Sequence, residues 1–235
     1  MILLRCGPAN RRRLDLHETV TLLVGPSKEK FTVLKLFLVK SSDFFKACCK
    51  EGAAWVESET KTIEMPEEDP KIFSAYLQWL YTQELVIFDG FNIESVKDAD
   101  LKTTEEAACL AYDRLVQFAM LADRLVDSAF NNEIVNNFIS IEQASEFGMS
   151  TQTKVDLHSA LPENSPIRRL MVRLTMQRID TDYLNRRGKD LSQEFAVDLL
   201  RSYAAMKEAP GSLRAPVWRN RCDFHLHADG EPSCA

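Results

Sequence analysis

The stretch Thr19-Val20-Thr21-Leu22-Leu23-Val24-Gly25-Pro26-Ser27-Lys28-Glu29-Lys30-Phe31-Thr32-Val33-Leu34 decides the architecture. Residues 19–24 and 30–34 are short runs rich in β-branched and apolar side chains, and Gly25-Pro26-Ser27-Lys28 between them is turn chemistry. Two such runs around a short Gly/Pro loop predict a β-hairpin. Further on, Thr62-Ile63-Glu64-Met65 alternates and stops at Pro66, which predicts a third strand. Between hairpin and third strand, residues 35–39 have helical character, and Ser42-Asp43 offers a cap for a short helix over 44–50.

Beyond the third strand the pattern turns helical. Asp69-Pro70 opens a helix with Pro at its first position, where the missing N–H costs nothing. Ile72, Phe73, Tyr76, Leu77, Leu80 and Tyr81 recur there at three- and four-residue steps. Trp79 and Tyr81 fall on different sides of that helix, so at least one should be partly exposed. Residues 89–106 lack apolar periodicity and carry far more acidic residues than Lys, reading as a solvated loop. Tyr112, Leu115, Phe118, Ala119, Ala122 and Leu125 then mark a core-facing stripe, which Phe130, Ile134 and Phe138 continue. After a break over 148–162, Ser165-Pro166 starts another helix bearing Ile167, Leu170, Met171 and Leu174. A last helix covers 191–206, and Pro210, Gly211 and Pro216 end the ordered reading. The pattern is therefore mixed α/β first and helix afterwards. Phe31, Val33, Phe44, Phe45, Phe73, Leu77, Leu80, Leu115, Phe118 and Leu125 are the expected core.

Composition narrows the class further. The 235 residues are 45% hydrophobic and 27% charged, ordinary values for a globular chain. Neither a secretory leader nor a membrane helix is expected, since no run reaches the roughly 18 to 20 apolar residues a span requires. The longest apolar run, 31–39, contains Lys35. Six scattered Cys, with Cys48 and Cys49 adjacent, fit a reducing compartment, so the cytoplasm or nucleus is expected. Residues 51–106 hold 14 acidic residues against four Lys. Arginines lie elsewhere: Arg5 and Arg11-Arg12-Arg13 in a basic arm, then Arg168, Arg169, Arg173, Arg178, Arg186 and Arg187. Dispersed arginines and a pI near 5.4 do not make a nucleic-acid face.

Catalytic constellations are not signalled. The four His are His17, His158, His225 and His227, and none lies beside a Gly-rich turn around a Ser or Cys. Neither GxGxxG nor GxxxxGK[ST] occurs, so no phosphate-cradling loop is visible. Glu67-Glu68-Asp69 fits a helix N-terminus, which favours acids.

Several elements fall in one order and spacing: Val20-Thr-Leu-Leu-Val-Gly25, Phe31-Thr-Val33 with Lys35, Ser42-Asp-Phe44-Phe45, Glu57-Ser58, Ile63-Glu-Met-Pro66, Phe73, Trp79-Leu-Tyr81-Thr82 and Ala122-Asp-Arg-Leu125. Together they resemble the BTB/POZ domain, and Pro162-Glu-Asn-Ser-Pro166-Ile-Arg-Arg-Leu170 resembles the C-terminal helical region of filamentous-fungal BTB proteins. The resemblance implies a basic N-terminal arm over 1–17, a BTB/POZ domain over 18–140, a helical extension over 141–207 and a Cys/His-containing tail over 208–235. It implies an α+β fold, a small sheet flanked by helices with an α-helical C-terminal extension, and protein association rather than catalysis. Two roles follow: a substrate adaptor for a cullin-type ubiquitin ligase, or a self-associating scaffold or regulator with no ligase role. Neither nucleic acid nor membrane is an expected partner. Family members commonly carry Asp where Thr19 stands and His-Lys where Leu34-Lys35 stands. In the repressor branch that Asp helps form a charged corepressor pocket, to which only Lys35 remains here.

Three site expectations follow. Cullin-binding adaptors carry an apolar residue, any residue, then Glu just before the third strand, and Trp55-Val56-Glu57 stands there, with Glu57 six residues ahead of Ile63. Trp55 either anchors that partner or folds back over the helix pair. Homodimers of the family form through the hairpin end and first helices. Leu34, Leu36, Phe37 and Leu38 either supply apolar surface for this or are all core. Finally, Cys222, His225, His227 and Cys234 occupy the last 14 residues as Cys-x2-His-x-His-x6-Cys. Two thiolates and two imidazoles are the ligand set of a closed structural zinc site. The alternative is an unstructured tail in which the four are coincidental. No other cofactor is expected.

Overall fold

The computed structural model describes residues 17–50, 62–91, 101–144, 148–208 and 217–227, with the side chains of 101–104 and Trp218 excepted. Two compact units make up the chain, Met1–Pro70 and Lys71–Ala235.

The first unit is built on the expected hairpin. β1 (Thr19–Val24) pairs antiparallel with β2 (Glu29–Leu34), Val24 facing Glu29 across the four-residue turn. β3 (Thr62–Met65) lies parallel to β1 on its other side, giving the order β2-β1-β3. Alternation decides the faces. Val20, Leu22 and Val24 of β1, Val33 of β2, and Ile63 and Met65 of β3 are buried. Gly25 has φ +76°, and a Cβ there would sit 2.9 Å from the Pro70 ring, so both conformation and space demand glycine. Its N–H donates to the Met65 carbonyl at 2.9 Å, tying the turn to β3. Two short helices follow the hairpin, α1 (Lys35–Ser41) and α2 (Asp43–Cys48). Ser42 caps α2 as expected, its Oγ accepting from the Phe45 N–H at 3.2 Å. Leu38 and Phe45 are the buried anchors of the two helices. Phe31 and Phe44, expected in the core, are only half-buried.

The second unit is helical: α3 (Pro70–Thr82, from Lys71 on), α4 (Leu101–Leu125), α5 (Ser128–Ala144), α6 (Thr151–Ala160), α7 (Pro166–Arg178), α8 (Thr181–Arg187) and α9 (Gln193–Glu208). Short 3-10 turns cover Gly188–Asp190, Val217–Arg219 and Arg221–Phe224. In α3, Ile72, Phe73, Tyr76, Leu77, Trp79 and Leu80 are buried. Tyr81 remains 43% exposed against 3% for Trp79, as their angular separation required. All six stripe residues of α4 and the three of α5 are buried. Phe130 is the hub, its ring 4.9 Å from that of Tyr76, 4.7 Å from Trp79 and 5.9 Å from Phe118.

The α4 and α5 stripes are separate helices. Val126 adopts φ +50° and breaks the run, and Asp127 restarts it by accepting the Phe130 N–H at 2.9 Å. Three other expectations need correction. Residues 101–106 are helix rather than loop: Glu105 and Glu106 are exposed on the second turn of α4, where solvated acids leave no apolar period to read. The break read over 148–162 contains α6. Ser150 caps it, accepting from the Thr153 N–H at 3.0 Å, and its buried face mixes Lys154 and His158 with Val155 and Leu157. Those two polar residues erase the hydrophobic period. Lastly, order does not end at Pro216, because Val217 and Phe224 are buried and 225–227 form an extended segment docked on α5. Ser165 stands before Pro166 at the start of α7, yet its side chain makes no capping hydrogen bond.

Candidate functional site

In the first unit, α1 carries more apolar side chains than it buries. Leu38 is fully buried, whereas Leu34 at the end of β2 and Leu36, Phe37 and Val39 are half-exposed. The expectation that all four of Leu34, Leu36, Phe37 and Leu38 are core therefore fails for three of them. Lys35 is held by Glu18, Nζ donating to Oε1 at 3.2 Å while the Lys35 N–H donates to the Glu18 carbonyl at 2.9 Å. A cation so neutralised is a poor remnant of a charged peptide pocket. Trp55, Val56 and Glu57 lie outside the described residues.

The second unit holds two buried polar clusters that the sequence did not signal. In the first, His158 on α6 meets Asp198 on α9, Nε2 to Oδ2 at 2.9 Å. Arg168 on α7 donates to the same oxygen from Nη2 at 3.1 Å, and Arg201 donates to Oδ1 at 3.0 Å. Burial alone would raise the Asp198 carboxyl, but these donors outweigh it and hold it below the usual range. Burial pushes the imidazole of His158 down, against the pull of Asp198. The imidazole is wholly enclosed, edge-on to Phe195 at 4.8 Å, and its Nδ1 has no hydrogen-bond partner. A histidine so enclosed fixes α6 to α9. Beside it lies a cavity of about 360 Å³ lined by Arg168, Arg169, Arg173, Arg201, Asp198 and Phe224 among others.

The second cluster surrounds Glu142 of α5. Tyr112 donates to its Oε2 at 3.0 Å, and Arg178 donates to Oε1. Burial, then the Glu142 charge, raises the Tyr112 phenol well above its ordinary value. Lys154 is 3% exposed nearby, and burial depresses its ammonium to about 8 despite Glu142. These are tertiary ties among α4, α5, α6 and α7.

The C-terminal segment brings together part of the expected Cys/His set. Cys222 Sγ lies 3.1 Å from His227 Nε2, while His225 turns its Nε2 to Asn136 Oδ1 at 3.1 Å. The rings of His225 and His227 are 6.1 Å apart. Cys234 lies outside the described residues, and among those described no three His, Cys, Asp or Glu side chains converge as a metal site. What the sequence did not reveal is the clamp beneath them. Asn132 on α5 donates from Nδ2 to the Leu226 carbonyl at 2.8 Å and accepts the Leu226 N–H on Oδ1 at 2.7 Å.

Large apolar residues also remain on the surface of the second unit, with Val197, Leu200 and Tyr203 exposed along α9 at three-residue steps. No helix among the described residues is long and apolar enough to cross a membrane.

Comparison with known families agrees with this architecture. Residues 10–117 match the family model of the BTB/POZ domain. No curated protein matches the chain. The fold class expected from the sequence is thereby upheld: a BTB domain with a small three-stranded sheet flanked by helices, and a helical C-terminal region. Such domains are in general protein-interaction modules rather than enzymes.

Proposed function

We propose, from the BTB/POZ domain carried by residues 10–117, that the chain is a protein-interaction protein that self-associates through the hairpin end and α1. The observation that carries self-association is the half-exposed apolar group Leu34, Leu36, Phe37 and Val39 beside the buried Leu38. A helix with Leu and Phe at adjacent positions cannot turn both inward, and burying such residues against a second copy gains about 25 cal/mol per Å2 of apolar surface. The exposed stripe on α9 supplies a further surface for other proteins. Light scattering at high micromolar concentration tests the reading. A dimer is expected for the wild type and a monomer for Leu36→Asp combined with Phe37→Asp. A wild-type monomer rejects self-association.

The second reading is a substrate adaptor for a cullin-type ubiquitin ligase. It rests on the sequence Trp55-Val56-Glu57, whose place ahead of β3 matches the pattern of cullin-binding adaptors. Trp55 would supply the aromatic anchor and Glu57 a charge-assisted acceptor. Co-purification with a cullin that is lost in Trp55→Ala and in Glu57→Ala supports this role, and unchanged binding in both removes it. The likeness of residues 162–170 to the helical region of filamentous-fungal BTB proteins belongs to the same reading, as does residence in the cytoplasm or nucleus.

A further inference from the structure

We propose that the cavity where α5 and α7 begin is a binding site for a primary carboxamide, the side chain of an Asn or Gln presented by a partner protein. The cavity encloses about 160 Å³, several times the ~30 Å³ share of one water molecule. Asn131, Ser165, Pro166, Asp123, Val126 and Leu226 are among the residues that line it. All of them belong to the second unit, so the proposal is independent of self-association through the hairpin.

Two of these side chains are more than nine-tenths buried and lack the hydrogen bonds that burial demands. Asn131 is 7% exposed, and its Nδ2 has no acceptor. Ser165 is also 7% exposed, and among the described residues its Oγ neither caps α7 nor meets another polar group. Buried polar atoms left in this state mark a place for a molecule that supplies the missing partner. The start of α7 adds to the deficit. Its first hydrogen bond runs from the Arg169 N–H to the Ser165 carbonyl at 3.2 Å, and Pro166 has no N–H to offer. The N–H groups of Ile167 and Arg168 therefore stand outside the ladder of this 13-residue helix. α5 has no such need, because Asp127 caps it. Amide, hydroxyl and backbone donors thus gather where α7 begins, and an oxygen acceptor answers them.

The acids decide which acceptor. Burial raises the Asp123 carboxyl above its ordinary value, against the pull of Arg124. A carboxylate ligand would meet the charges of Asp123 and Asp127, both of which line the cavity. A carboxamide of the same shape suits both kinds of group: its oxygen accepts from Asn131 and the start of α7, and its NH2 donates to Asp123. The last torsion of an Asn side chain is broad, so Nδ2 turns toward the ligand oxygen at little cost. Val126 and Leu226, 55% and 38% exposed, offer apolar contact to residues flanking the amide. Asn132 holds Leu226 in place through both of its backbone groups. Such a rim fits a peptide better than a lone amide.

The isotope-labelled full chain is titrated with N-acetyl-Val-Asn-Val N-methylamide, with its Val-Asp-Val counterpart and with acetamide, and the side-chain NH2 signals are followed by NMR. The Asn131 pair, identified by its loss in Asn131→Ser, should shift saturably with the Asn peptide and with acetamide, the peptide binding more tightly. The Asp peptide should bind about tenfold more weakly, the factor that one hydrogen bond to a buried group sets. Ser165→Ala removes only a hydroxyl and should weaken the Asn peptide while the backbone spectrum stays that of the folded chain. An Asn131 signal that none of the three ligands moves, or that the Asn and Asp peptides move equally, overturns the site and leaves the cavity to water. Acetamide binding as tightly as the Asn peptide overturns a partner protein as the source of the amide.

Discussion

Tyr76 donates its phenolic hydrogen to Asp127 Oδ2 at 2.9 Å, joining residues 51 positions apart in the sequence. The other oxygen of the same carboxylate caps α5 by accepting the Phe130 N–H at 2.9 Å. One buried carboxylate therefore sets the start of α5 and holds α3 to it. Both oxygens are committed, so the carboxylate tolerates burial.

Asp127→Ala should remove both functions together. Loss of an N-cap costs about 1 kcal/mol, and an unsatisfied buried hydroxyl about 1–3 kcal/mol more. Tyr76→Phe should cost less, because it removes only the hydroxyl. Urea denaturation of both single variants and the double variant gives the coupling, expected at about 0.5–3 kcal/mol. Strict additivity would mean that the hydrogen bond contributes nothing.

Phe73 and Tyr81 lie eight residues apart on α3 and should respond oppositely to truncation. Phe73 is fully buried, so Phe73→Ala should cost about 3–5 kcal/mol. Tyr81 is largely solvated, and Tyr81→Ala should stay within about 0.5 kcal/mol. Thermal melts of the two variants, run side by side, decide it.

Lys154 should make stability rise with pH on the alkaline side. Its folded pKa of about 8 lies below the ordinary 10.5, so the unfolded chain binds more protons between those values. The penalty is complete below about pH 8 and is relieved as pH climbs from there. Tyr112 opposes this above pH 10, because its phenol stays protonated in the fold after it has ionised in the unfolded chain. Stability measured from pH 8 to 10 should therefore increase in the wild type and lose that rise in Lys154→Met. A wild-type profile without that rise would refute the depressed ammonium.

His158 and Asp198 should dominate the acid side. The imidazole is held below its ordinary 6.5, so below that pH the unfolded chain takes up a proton that the fold refuses, and stability falls. Asp198→Ala leaves His158 Nε2 buried without its acceptor and should cost about 2–4 kcal/mol. Arg201→Ala touches the same carboxylate from an exposed position and should cost less than about 1 kcal/mol. Equal losses in the two variants would show that the buried imidazole does not control the cluster.

Legibility in the sequence followed how strongly burial matched residue type. The hairpin and α3 were readable because Val20, Leu22, Val24, Phe73 and Tyr76 are apolar where the fold buries them. α6 was hidden because Lys154 and His158 occupy its buried face, their polarity answered by partners on other helices. No local window records Asp198 or Glu142 as those partners. Of the Cys and His singled out at the C-terminal end, Cys222 and His227 are in contact, while His225 turns to Asn136. The Asn132 and Asn136 side chains that hold this segment on α5 were not legible, since asparagines four apart on a helix resemble any solvated face.

That asparagine pair also governs the order of events during synthesis. Leu226 is made 94 residues after Asn132. At ribosomal rates of ~5–20 residues per second, α5 waits roughly 5–20 s for it. A groove lined by hydrophobic side chains would stay sticky throughout that interval and invite capture by other nascent chains. Amide groups simply stay hydrated until Leu226 replaces water at 2.7 and 2.8 Å. The segment made later thus finds, at Leu226, a polar partner on α5 that water could serve in the meantime.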